Sequence, residues 1–208
     1  MNKLIIAEDH PLIVKSMKVL LMNLDPSLTI LHTDSCSELI QIVKTNQAEY
    51  VIADLNLTDG LSLNSIENLL SLYPSINILV YTAYPGELYA KRLLNMGVRC
   101  FLNKHADEDE VILALRKFLN KEFYVSQQIL PFIISSKKTA QTAESQFNFL
   151  SQKELQVIEF LRTGESIKNI ASNMGIMPNT VATYKKRAFE KLGIQNVVQL
   201  NHLYPGNS

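Results

Sequence analysis

Along the first 120 residues, short apolar runs alternate with segments whose apolar positions recur every three to four residues. The runs are Lys3–Glu8, Thr29–Thr33, Tyr50–Leu55, Asn77–Thr82 and Arg99–Asn103, and the last three are nearly continuous in apolar side chains. Strands buried on both faces of a parallel sheet require that pattern. Between the runs, Ile13, Met17, Leu20, Leu21 and Leu24 fall on one side of a 3.6-residue period, and Val111, Leu115, Phe118 and Leu119 repeat the spacing. Ser35 with Glu38 and Asp107 with Glu110 have capping-box spacing and mark helix starts. Five strands alternating with five helices predict a doubly wound α/β domain over residues 1–120, built on a five-stranded parallel sheet.

The pattern then changes twice. Residues 121–147 end in a polar run from Ser135 to Gln146 that offers little to bury, and the stretch reads as a linker. Over residues 148–208 the pattern is helical only. Ser151 with Glu154 opens a helix to about Arg162, and Gly164 follows it. A second helix covers Ser166 to Met174 before Gly175, a third runs from Pro178 to Leu192 before Gly193, and a fourth covers Val197–Leu203. Two short helices joined by a glycine turn, the second of them basic, form the helix-turn-helix pattern of an all-α domain.

Composition adds bounds. Hydrophobic residues make up 47% of the 208 and charged residues 19%, ordinary for a globular protein with a real core. No apolar run approaches the length needed to span a bilayer. Leu4–Ala7 is too short for a signal-peptide core and is followed at once by Glu8 and Asp9, so the expected location is cytoplasmic, with no membrane partner. Cys36 and Cys100 make neither a disulfide framework nor a metal cluster and are expected to pack in the core. The net charge of zero hides an asymmetry. Residues 1–120 carry 10 Lys/Arg against 14 Asp/Glu, and residues 121–208 carry 10 against 6. The second half is the one suited to a polyanion.

In a doubly wound sheet, chemistry gathers at the carboxyl ends of the strands. Those ends carry Glu8 and Asp9, Asp54, Thr82 and Lys104. Three carboxylates, a hydroxyl and an ammonium would meet in one crevice. Carboxylates so close repel each other unless a cation sits between them, and a water-rich carboxylate site suits Mg²⁺. A carboxylate beside Mg²⁺ can attack a phosphoryl group, while Lys104 pairs with the phosphoryl oxygens and Thr82 hydrogen-bonds one.

The segments Glu8-Asp9-His10-Pro11, Asp54-Leu55-Asn56-Leu57, Val80-Tyr81-Thr82-Ala83 and Phe101-Leu102-Asn103-Lys104 resemble the flavodoxin-like receiver domain of two-component response regulators. The resemblance implies that Asp54 is the phosphoacceptor and that Glu8 and Asp9 hold the metal with Asp54 and the backbone carbonyl of Asn56. It makes Thr82 and Phe101 the switch residues and Lys104 the phosphate-pairing lysine. His10 reads as an ordinary loop histidine. Two departures stand out. Thr58 replaces the family's usual proline, which predicts a looser Thr58-Asp59-Gly60 loop, and Tyr84 is a bulky side chain near the site.

Leu150-Ser151 with Glu154, then Gly164, Ile170-Ala171, Thr180-Val181 and Lys191-Leu192-Gly193 resemble the helix-turn-helix of the LuxR/NarL (FixJ) family. In the third helix Val181, Tyr184, Ala188 and Leu192 form the expected buried stripe. The opposite side presents Asn179, Thr183, Lys186 and Glu190, with Ala182 and Arg187 at its flanks. Thr183, Lys186 and Ala182 are the candidates for base edges in double-stranded DNA. Lys185, Arg187, Lys168, Lys191 and Thr180 are candidates for phosphates. The family commonly has Lys at the position of Ala182 and His at that of Tyr184. Met177 stands where a serine cap is usual, at a cost of about 1 kcal/mol, partly offset by Pro178.

The resemblance implies a phosphorylation-dependent transcriptional regulator with no separate enzyme activity, served by a sensor histidine kinase and shifted by phosphoryl transfer toward a DNA-binding homodimer. The apolar positions Val197, Val198, Leu200 and Leu203 suit either a dimer stripe or the domain's own core. Two alternatives remain open at this point: a signalling protein that acts by protein docking, and a transcription factor that is never phosphorylated in the cell. Steep salt dependence is expected only of DNA binding.

Overall fold

The computed structural model describes residues 2–61, 63–134, 147 and 150–203. The chain divides into two compact units, Met1–Ile133 and Ile134–Ser208.

In the first unit, β1 (Lys3–Ala7), α1 (Pro11–Leu24), β2 (Thr29–Thr33), α2 (Cys36–Asn46) and β3 (Tyr50–Ala53) come first. A small hairpin follows, β4 (Asn56–Leu57) and β5 (Gly60–Leu61), then α3 (Leu63–Leu72), β6 (Asn77–Thr82), α4 (Gly86–Met96), β7 (Cys100–Asn103) and α5 (Glu108–Leu119). The unit ends with β8 (Tyr124–Val125) and the start of α6 (Leu130–Ile134). All five predicted strands lie in one parallel sheet, ordered β2-β1-β3-β6-β7.

Alternation along each strand divides the apolar side chains between two faces. Leu4, Ile6, Tyr50, Ile52, Leu79, Cys100 and Leu102 meet α1 and α5 through Val14, Met17, Leu21, Val111, Leu115 and Phe118. Ile5, Val51, Ile78, Val80 and Phe101, equally buried, alternate with them and turn the other way. The buried stripe of α1 is centred on Val14, Met17 and Leu21, one position round from the expected Ile13 and Leu20, which are half-buried. Helix α5 follows the charge rule for its dipole: Asp107 caps Glu110 N at 2.8 Å, three acids fill the first turn, and Arg116 and Lys117 fill the last. Its final carbonyls are taken by Tyr50 Oη on Leu119 O (3.1 Å) and Asn77 Nδ2 on Phe118 O (2.6 Å).

The expected linker at 121–147 begins later than composition suggested. Tyr124 and Val125 pair in parallel with Cys100 and Phe101 as a sixth strand, and Tyr124 Oη donates to Glu110 Oε1 at 3.0 Å. Ile129 is buried against Gly86 and Phe101. Apolar side chains at 124, 125 and 129 give this stretch something to bury, so it folds onto the sheet. The polar run at 135–146 lies outside the described residues.

The second unit holds α7 (Gln152–Arg162), α8 (Ile167–Asn173), α9 (Pro178–Leu192) and α10 (Val197–His202). Each predicted start is recovered, and the Ser151–Glu154 box is complete: Glu154 N donates to Ser151 Oγ and Ser151 N to Glu154 Oε2 (2.7 Å). Gly193, at φ 66°, ends α9 in a left-handed conformation that suits glycine. The buried stripe of α9 is Val181, Ala188, Phe189 and Leu192; Tyr184 is only half-buried. On α10, Leu200 is fully buried while Val198 is 66% exposed, so the apolar stripe divides between core and surface. Among the described residues, no helix is long and apolar enough to cross a membrane.

Candidate functional site

Sheet register brings the acidic residues together. Ala7 lies opposite Ala53, so Glu8 and Asp54, one residue on, leave the sheet side by side, and Asp54 N donates to Ala7 O at 2.9 Å. Thr82 lies opposite Asn103, which puts Lys104 at the same end, its N donating to Thr82 O at 2.8 Å. Glu8, Asp54 and Thr82 are buried. The Lys104 ammonium bridges the two carboxylates, 2.6 Å from Glu8 Oε2 and 2.8 Å from Asp54 Oδ2. Burial alone would lower the Lys104 pKa, but hydrogen bonds to Asp54 and Glu8 outweigh it and hold the group above its ordinary value.

His10 has more contacts than an ordinary loop histidine. Its Nδ1 lies 2.7 Å from both Glu8 Oε1 and Asp9 Oδ1, and its backbone N–H donates to Glu8 Oε1 at 3.0 Å. Ligand atoms of Glu8, Asp9, His10 and Asp54 all lie within 4.8 Å of one another. The only sequence signal for His10 is its place directly after the acidic pair.

The other residues of the crevice are placed less directly. Asn56 opens β4, two residues beyond Asp54. The Thr82 hydroxyl accepts from Tyr84 N at 3.3 Å. Phe101 is buried in β7 on the sheet face away from α1 and α5, its ring against Gly86 at the start of α4. Tyr84 packs on Tyr89 with ring centroids 5.1 Å apart, and its carbonyl accepts from Asn103 Nδ2 at 3.2 Å. The Thr58-Asp59 loop is not loose. Thr58 donates to Asp34 O from both N (3.2 Å) and Oγ1 (2.8 Å), and Asp59 hydrogen-bonds the start of α2.

On α9, Ala182, Thr183, Lys186 and Arg187 are exposed, and Thr183 Oγ1 donates back to Asn179 O at 2.9 Å. Lys186 reaches toward Glu190 at 3.9 Å with both side chains in solvent, which leaves it available. Lys185 lies along Phe189, its ammonium 5.4 Å from the ring centroid. Thr180 is half-buried, and Lys168 is exposed on α8. Lys191 is the outlier: its ammonium is spent on buried Glu154, 2.7 Å away. That internal use has no signal in local sequence, since the partners are 37 residues apart.

Met177 caps α9 without a side-chain hydrogen bond and is 71% exposed. Met177→Ser is expected to stabilise the second unit by about 1 kcal/mol, read as a raised thermal midpoint. An unchanged midpoint would dismiss the cap argument.

The known proteins this chain resembles agree with both halves. The response regulator receiver domain model matches residues 4–116, and the model of bacterial regulatory proteins of the luxR family matches 148–204. The virulence-factor transcription regulator BvgA of Bordetella pertussis is 31% identical over 210 residues, covering 100% of this chain and 98% of that protein. The response regulator GacA of Pseudomonas aeruginosa is 24% identical, covering 96% and 94%. The structure of RcsB from Salmonella enterica serovar Typhimurium bound to promoter rprA, with the phosphomimetic BeF3⁻, shares the fold with a TM-score of 0.64 at 20% identity, covering 98% of each chain. A receiver match and a luxR-family match on one chain, with a relative alike along its whole length, make this protein a two-component response regulator of the LuxR/NarL family.

Proposed function

We propose that Asp54 accepts a phosphoryl group and that its phosphorylation drives the second unit onto promoter DNA as a homodimer, in the cytoplasm. The observation that carries this is the Lys104 ammonium held between buried Glu8 and Asp54 at the carboxyl ends of β7, β1 and β3. A half-buried lysine aimed at two carboxylates is placed to meet phosphoryl oxygens once one carboxylate is esterified. An Asp54 carboxylate oxygen bonds to phosphorus as the bond to the donor group breaks, the donor being the phosphohistidine of a sensor kinase. The carboxylate oxygens of Glu8, Asp9 and Asp54 lie close together, and with the Asn56 carbonyl they make an all-oxygen donor set that fits Mg²⁺. Mg²⁺ bound there would offset charge on both the attacking carboxylate and the phosphoryl group. Thr82 then turns toward the phosphoryl oxygens and Phe101 follows, shifting the population toward the DNA-binding dimer.

For the DNA-reading surface, Ala182, Thr183 and Lys186 face base edges, while Lys168, Thr180, Lys185 and Arg187 meet phosphates. Lys191 fits this surface least, because its charge is already met by Glu154.

The test is DNA affinity and solution mass with and without a small phosphodonor and Mg²⁺, for wild type and Asp54→Asn. Wild type is expected to gain mass and affinity, and Asp54→Asn neither. A variant that still responds would place the phosphoryl group elsewhere. Affinity should also fall steeply with salt, and Lys186→Ala should lower that slope by about 1. A flat salt dependence would favour protein docking.

A further inference from the structure

We infer that Asp59 is a positioning residue for phosphoryl transfer, fixing the Asn56 wall of the metal site by clipping the hairpin after Asp54 to the start of α2. This rests on the roles proposed above for Asp54 and Asn56.

Strands β4 and β5 pair Asn56 with Leu61 and Leu57 with Gly60, so Thr58 and Asp59 form the two-residue tip between them. Both tip residues reach across to the junction of β2 and α2. Thr58 gives its N–H and its hydroxyl to the Asp34 carbonyl. Asp59 engages both carboxylate oxygens: Oδ1 accepts from Cys36 N (2.7 Å), and Oδ2 accepts from Ser37 N (3.0 Å) and Ser35 Oγ (2.8 Å). Cys36 and Ser37 are the first two residues of α2, whose amides have no partner within the helix. The Asp59 side chain is exposed, where a carboxylate is ordinarily free to rotate. Burial pushes its carboxyl up, but the Cys36 and Ser37 amides outweigh that and hold it well below the usual carboxylate range.

The same junction also holds the opposite wall of the site. Thr33 O accepts from Glu8 N at 3.0 Å, and His32 Nε2 donates to Glu8 O at 2.8 Å. His32 and Thr33 thus fix the backbone that carries Glu8 and Asp9, and residues 34–37 fix the hairpin that carries Asn56. Both arms of the metal site are referenced to one strand-to-helix corner. A proline at position 58 would stiffen the loop through its ring but would have no N–H for Asp34. This chain reaches the same rigidity with hydrogen bonds, and Asp59 supplies most of them.

Removing the clip lets the tip drift and blurs the position of the Asn56 carbonyl. Loss of a partner that orients a metal ligand typically weakens binding by about 10- to 100-fold. The test is calorimetric titration of the full chain with Mg²⁺, together with the rate of phosphorylation by a small acyl phosphate. Wild type, Asp59→Ala and Asp59→Asn are compared with Asp107→Ala, which removes a helix cap far from the hairpin in sequence. Asp59→Ala should raise the Mg²⁺ dissociation constant about tenfold, with Asp59→Asn shifting it in the same direction by less. Saturating Mg²⁺ should return the phosphorylation rate to that of wild type, and Asp107→Ala should leave the dissociation constant unchanged. Should Asp59→Ala not fold, the Asn variant carries the comparison. Unchanged Mg²⁺ affinity in a folded Asp59 variant, or an equal shift in Asp107→Ala, would reduce Asp59 to a helix cap and overturn the inference. If wild type itself neither binds Mg²⁺ nor takes up phosphoryl, the reading of Asp54 and Asn56 fails, and this one with it.

Discussion

Lys104→Met is expected to destabilise the first unit by about 3–5 kcal/mol at neutral pH without divalent cations. Methionine keeps most of the aliphatic stem and removes only the charge. Glu8 and Asp54, with side chains 3% and 6% exposed, would then face each other with no cation between them. The sign of the pH dependence follows from the raised Lys104 pKa. The bridge contributes fully below the ordinary value of 10.5 and is lost only as pH rises through the still higher folded value, so wild type keeps it across the neutral range. In the variant Mg²⁺ bound between the carboxylates would relieve the repulsion. Thermal midpoints in EDTA should therefore fall by on the order of 10 °C and recover substantially with Mg²⁺. A midpoint that does not move, or falls without recovery, would show that the ammonium does not hold these carboxylates together.

The second large effect lies in the helix-turn-helix unit. Glu154 is buried, accepts from Ser151 N and pairs with Lys191, so it both caps α7 and ties α9 to it. Glu154→Ala should cost about 2 kcal/mol, the lower end for a buried charged partner because Lys191 is 41% exposed and rehydrates. Burial raises the Glu154 carboxyl, but hydrogen bonds from Lys191 and Ser151 outweigh it and leave the pKa below 4.5. A depressed carboxylate stabilises fully above its ordinary value and loses that contribution as pH falls through its folded value. Unfolding followed between about pH 7 and pH 3 should show wild type losing this increment on the acid side. The variant should lack that part of the slope. Parallel curves would remove Glu154 from the acid sensitivity.

The fold was legible wherever a local pattern had a local cause. The parallel strands announce themselves because Tyr50–Ala53 and the Ile78–Val80 centre of β6 are buried on both faces and are apolar at every position. The caps at Ser35, Asp107 and Ser151 each lie within three residues of the amide they satisfy. Glu8, Asp54 and Lys104 could be placed together because strand ends in one sheet converge, whatever their separation along the chain. What stayed hidden depends on distant partners. Asp59 reads as a turn residue until Cys36 and Ser37, more than twenty positions away, are seen donating to it. Lys191 reads as a phosphate contact until Glu154 claims it. Residues 121–133 read as linker because two-residue β8 is too short to show a period, and Ile129 is buried only by its fit against Gly86 and Phe101.

The short strand β8 also bears on the edge of the sheet in the first unit. Every open sheet ends in a strand with one row of amides and carbonyls unmatched, and that row is a template for another chain. On the β7 side, Tyr124 and Val125 occupy the row along Cys100 and Phe101, and Tyr124 is tied down by Glu110. A fragment stopped at residue 120 would bare that row beside the buried Phe101 and offer it to neighbouring molecules. The compact first unit accordingly ends at Ile133, and two residues of strand cover an edge that a fragment ending at 120 would leave open.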